Sequence, residues 1–150
     1  MGSLDLARTQ AACIAPEMIK KVNAGKAAVL ARHGRSGMLQ GTPTMFAIHH
    51  VVMTSFDEAL LELKGTYLAA AEAGEDANAV ESDFKGWAAR LREIVHGIAI
   101  DACKAYSPAS VVATGSVDGD LRSAETRAVT GFGLAIAGRR GRVETPPSAN

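Results

Sequence analysis

Residues 42–107 run TPTMFAIHHVVMTSFDEALLELKGTYLAAAEAGEDANAVESDFKGWAARLREIVHGIAIDACKAYS, and two helical stripes can be traced through them. Met45, His49, Val52, Phe56, Leu60, Leu63 and Tyr67 recur at steps of three or four. At about 100° per residue they fall on one side of a helix, with Asp57, Glu58, Glu62 and Lys64 off that side. Thr42 can cap this arm, and Pro43 suits a first helical position, where no amide donor is needed. The second stripe holds Val80, Phe84, Trp87, Leu91, Val95, Ile98, Ala102 and Tyr106. Asn78 followed by Glu81 resembles a capping box at its start. The arm should stop before Pro108, because the residue preceding a proline avoids helical geometry. A connection of about four to six residues around Gly74–Ala77 favours antiparallel neighbours. The spacing thus predicts a mainly α protein, a helical bundle built on a long antiparallel hairpin of about 43–73 and 79–106. Phe56, Leu60, Leu63, Phe84, Trp87 and Leu91 are its expected core and assembly residues. Gly86 and Gly97 weaken the second arm from inside.

Two helices alone leave Phe56 and Trp87 partly wet. The terminal segments, another copy of the chain, or both must cover them. The N-terminal segment, residues 1–41, reads as an arm of three short helices. Ser3 caps the first, which carries Leu4, Ala7, Ala11 and Ile14 and ends at Ala15-Pro16. The second holds Met18, Ile19 and Val22 and stops at Asn23-Ala24-Gly25; the third spans Lys26 to His33. None is long enough to stand alone. Gly34 to Pro43 reads as a loop. Beyond the hairpin, 107–116 reads as extended, with Val111-Val112 able to pair as a strand, and Asp118-Gly119 signals a turn. Helix is expected for 120–130, while Gly131 and Gly133 leave 131–138 open between helix and short strands. Gly138 to Arg142 reads as a basic loop, and 144–150, with Pro146-Pro147, as an extended tail. The expected organisation is one domain: arm 1–41, hairpin core 42–107, C-terminal helix or short strands 108–143, and tail.

The net charge is zero, which argues against a general nucleic-acid binder or a membrane-surface protein. The zero is unevenly composed. Residues 1–43 hold six Lys/Arg against two Asp/Glu, and residues 44–106 hold five against ten. A basic arm can therefore dock on its own acidic body or on a neighbour's. Cys13 and Cys103 fit no metal or redox spacing and read as free, buried thiols. No run is long and apolar enough to span a bilayer, and the N-terminus lacks a signal peptide's apolar centre. Met1-Gly2-Ser3 suggests myristoylation, but Leu6 stands where Ser or Thr is required. A cytoplasmic protein, or a virion component if the chain is viral, is the expected setting.

Chemistry-bearing residues are present but badly aimed. A helical carboxylate-bridged metal site needs Glu and His projecting inward, often as Glu-x-x-His. Glu93-Ile94-Val95-His96 has that spacing, yet Glu93 and Glu58 point away from the apolar stripes, and Glu62 and His96 lie about a third of a turn off them. Only His49 falls on the buried side, which makes a solvated acidic face with one core histidine the simpler reading. Glu58 and Glu62 bear a faint resemblance to the helical nucleotide pyrophosphohydrolases, which would imply Mg²⁺ chemistry. The Glu-Glu pair of that family is missing, and Glu81-Ser82-Asp83 is one residue short of its second element. Cys103 near His96 is a commonplace spacing, read as an inert thiol. Gly131-Phe132-Gly133 fails the dinucleotide fingerprint at Ile136, and no phosphate-binding loop occurs. Arg139, Arg140 and Arg142 could contact an anion, RNA or an acidic partner, but no aromatics interleave them. Pro108, Thr114-Gly115 and Leu121-Arg122-Ser123 resemble an order found in phage tail-completion proteins over about sixteen residues. The gap before Leu121 is too long, so this likeness assigns no family.

These readings point to a non-catalytic structural subunit that associates with copies of itself, such as a shell or particle protein of a virus or phage. Other particle proteins are further possible partners. No cofactor, metal or catalytic residue is implied. The alternatives are a metal-dependent helical hydrolase using Glu58, Glu62 and Glu93, and a binding module acting through the three arginines.

Overall fold

The computed structural model describes residues 2–35, 37, 42–106 and 111–144. Among these there are four helices and no strand: α1 (Ser3–Arg35), α2 (Thr42–Glu72), α3 (Ala77–Tyr106) and α4 (Val111–Glu144). The protein is a helical bundle. α1 packs on α2 and α3, and α4 packs on α3 and α2. Among the described residues no packing joins α1 to α4, so α2 and α3 are the elements every other helix rests on. No helix among the described residues is long and apolar enough to cross a membrane.

The turn between α2 and α3 is set by local chemistry. Gly74 takes a positive φ of 94°, a region that favours glycine. The Glu75 amide donates to the Ala70 carbonyl and the Gly74 amide to the Ala71 carbonyl, which satisfies two orphan carbonyls of α2 in a Schellman arrangement. Asp76, not Asn78, caps α3: its carboxylate accepts the Ala79 amide at 3.0 Å. An Asp two residues upstream reaches the third helical amide, so the expected Asn78 cap is displaced into the first turn. Past the turn, Tyr67 of α2 meets Phe84 of α3 edge-on, with ring centroids 6.5 Å apart. Phe84 in turn stacks on Phe132 of α4 at 4.1 Å. One apolar cluster takes residues from all four helices, Ile14, Phe56, Leu91 and Phe132 among them. Fully burying side chains of this size contributes roughly 1.5–3 kcal/mol each, against the entropy of ordering the chain.

Both terminal segments differ from their sequence reading. The three short N-terminal helices are one, α1, which runs through Pro16 and through Asn23-Ala24-Gly25. The reason is the continuous buried stripe of Ala7, Ala11, Ile14, Met18, Val22 and Val29, which lies on both sides of the proline. Pro16 and Ala12 are both exposed, so the hydrogen bond that Pro16 cannot donate is missing on the solvated side of the helix. Gly25 is no stop signal either. A Cβ there would lie 2.5 Å from Val51 Cγ1, so the glycine lets α1 and α2 approach closely.

The segment expected to be extended or looped after the second arm is likewise helix. Val111-Val112, Asp118-Gly119, the open 131–138 and the supposed basic loop at 138–142 all belong to α4. Val117, Leu121, Ala124, Phe132 and Ile136 are buried along one side of it, and that packing outweighs the six glycines of the helix. Gly34 ends α1 rather than opening a loop, and Pro43 lies in the first turn of α2. The loop expected at 36 and 38–41, the Pro108 stop and the tail 145–150 lie outside the described residues, as does the Thr42 side chain.

Candidate functional site

Of the expected core residues, Phe56, Leu63, Phe84 and Leu91 are fully buried and Leu60 nearly so. Trp87 is not in the core: it is half-buried against it, with the Arg90 guanidinium 4.5 Å from its ring centroid. Arg139 forms an ion pair with Glu72 at the far end of α2. The side chains of Arg140 and Arg142 lie outside the described residues. The three arginines therefore fall in the last turns of a helix rather than a loop, and one of them is engaged internally.

The acidic residues do not converge. Glu58 pairs with Lys21, while Glu62 and Glu93 are exposed. Among the described residues no three metal-ligating side chains come together, so Glu58, Glu62 and Glu93 do not form a cluster. Cys103 is buried, and that burial raises its thiol pKa, which disfavours a thiolate nucleophile. Cys13, expected to be buried, is exposed, because it falls off the α1 stripe between Ala11 and Ile14.

Further polar contacts tie the helices together, Arg92 of α3 to Glu125 of α4 at 2.9 Å among them. On the α1–α3 side, Arg8 grips Asp83 with two hydrogen bonds of 2.6 and 3.2 Å, and Tyr67 Oη donates to the same carboxylate at 3.2 Å. Burial first, and then the Asp83 charge, push the Tyr67 phenol well above its ordinary range. Arg8, Ser82, Asp83, Gly86, Trp87 and Arg90 line a shallow cleft of about 330 Å³ there. Between α1 and α2, His33 Nδ1 and Thr44 Oγ1 are 2.6 Å apart in a buried pair. On the α4 side, His49 of α2 contacts Asp120 at 2.9 Å, and His96 of α3 approaches Asp118 at 3.8 Å. His49 is thus half-buried at the α2–α4 seam rather than inside the core. The Asp118 partner of His96 was hidden in the sequence because Asp118-Gly119 reads as a turn.

The face formed by α2 and α4 is of a different kind. Leu60, Phe84, Ala124 and Ala128 floor a groove of about 270 Å³, with Asp57, Lys64 and Arg127 around it. Leu61 lines the same groove yet is 71% exposed. Leu134 is 70% exposed and lies two helical turns beyond Arg127, hence on the same side of α4. Phe46, nearer the start of α2, is 70% exposed. The sequence signal for this face was a second set of apolar residues at helical spacing on α2, offset from the core stripe. No protein-family model, curated protein or solved structure matches the chain.

Proposed function

We propose that the chain is a non-catalytic building block that assembles with copies of itself, with the antiparallel α2–α3 hairpin as its spine. A shell or particle of a virus or phage is the proposed setting. The observation that carries the reading is the outward side of α2. This helix already packs on α1, α3 and α4, so its folding needs are met. It nevertheless holds Phe46 and Leu61 at about 70% exposure, with Leu134 similarly exposed on the adjoining α4. One exposed leucine means little. Several large apolar groups on one helix and its neighbour are the kind of surface that partners cover.

The basic N-terminal arm gives this reading no support. Arg8 and Lys21 are spent on Asp83 and Glu58 of the same chain. The apolar face remains the argument. Size-exclusion chromatography with light scattering, run over a range of protein and salt concentrations, tests it. The expected mass exceeds the 15.6 kDa of one chain and rises with concentration. A strict monomer at high concentration would overturn the proposal.

A further inference from the structure

The outer side of α2 has a self-complementary order. His50, Met53, Asp57, Leu61, Lys64 and Leu68 step along it at intervals of three and four, all exposed or half-buried. Asp57 and Lys64 are two helical turns apart, and the midpoint between them falls between Leu60 and Leu61. Lay a second α2 antiparallel across the first, with a twofold axis through that midpoint. Asp57 then faces Lys64 of the second copy, and Lys64 faces its Asp57. The two copies of Leu61 meet at the centre, and Met53 faces Leu68 of the second copy. A parallel arrangement in the same register would set Asp57 on Asp57 and Lys64 on Lys64.

We propose that the α2–α4 face is a twofold interface between two copies of this chain, centred between Leu60 and Leu61 and joined by reciprocal Asp57–Lys64 ion pairs. This inference rests on the self-association reading and names its surface. Charge complementarity selects the occupant. Among the described residues Asp57, Lys64 and Arg127 have no ion-pair partner, as holds also for other surface charges such as Lys20 and Glu93; what sets these three apart is that they stand around one apolar groove. Both signs stand around one groove, as an isologous contact requires, since each surface must complement itself. The groove beside Leu61 is floored by apolar groups and receives Leu61 of the second copy. Leu134 extends the apolar area along α4.

The test is a charge swap read by sedimentation equilibrium at low salt. Asp57→Lys and Lys64→Asp each place like charges opposite one another twice, and each should raise the dimer dissociation constant about tenfold or more. The double variant, Asp57→Lys with Lys64→Asp, should return it to within about threefold of the wild type. Leu61→Asp should also raise it at least about tenfold. These positions are exposed or at the surface, and circular dichroism checks that each variant stays helical. Three outcomes overturn the interface. If the wild type associates and neither single swap weakens it, the surface is wrong while self-association stands. If both singles weaken it and the double does not restore it, the antiparallel register is wrong. If the wild type stays monomeric, the interface and the self-association reading fall together.

Discussion

At Gly25 an added Cβ would sit 2.5 Å from Val51 Cγ1, while at Gly65, Gly97 and Gly119 it would meet nothing within 4 Å. All four lie inside helices, and none has a positive φ. The same substitution should therefore change sign along the chain. Gly65→Ala, Gly97→Ala and Gly119→Ala should each stabilise the fold by about 0.5–1 kcal/mol, the entropy a helical glycine loses. Gly25→Ala should destabilise it by roughly 1–3 kcal/mol, because the stiff Val51 side chain has to move. Urea unfolding midpoints measure both, and a uniform sign across the four would refute this account of the α1–α2 contact. A second residue-scale prediction concerns Tyr67. Burial and then Asp83 raise its folded-state pKa. Its neutral form is favoured on folding, so this stability is complete below the unfolded value near 10 and is lost as pH rises through that value toward the folded one. Wild-type stability should fall steeply above about pH 10, and in Tyr67→Phe that slope should be shallower. Equal slopes in urea titrations at pH 9 to 11 would contradict the assignment.

At the scale of elements, α1 and α4 show where sequence reasoning reached and where it failed. The mainly helical class was legible because helical apolar spacing was strong in the middle of the chain, and Phe56, Leu63, Phe84 and Leu91 are buried as that spacing implies. Pro16 and the glycines of α4 were misread for one physical reason. They are local penalties of about 1–3 kcal/mol each, and they lose to burial summed over a helix of more than 30 residues. The stripe Ala11, Ile14, Met18, Val22 crosses Pro16 without a phase change, so a reading that followed the stripe rather than the proline would have joined the pieces. Asp118 was read as a turn residue for the same reason, which concealed its contact with His96. Pro16→Ala should restore the missing hydrogen bond to Ala12 and stabilise the protein by up to about 3 kcal/mol. Thermal unfolding measures the gain. A loss of stability would mean that the proline serves α1 in its present geometry.

For the whole molecule, charge and apolar surface divide the work. The excess of base in the N-terminal segment and of acid in the middle is partly settled inside one chain, through Arg8–Asp83 and Lys21–Glu58. The α2–α4 face carries exposed leucines and three rim charges that have no ion-pair partner among the described residues. α2 is thus asked to serve two surfaces, the core on one side and a second copy on the other. Two-dimensional amide spectra of the isotope-labelled protein, recorded from micromolar to millimolar concentration, test this most directly. The account predicts concentration-dependent shifts confined to the outer side of α2, about residues 50–68, and to the adjoining part of α4 around Arg127 and Leu134. Spectra that do not change with concentration, or changes that gather on α1 and the cleft beside Trp87, would contradict it.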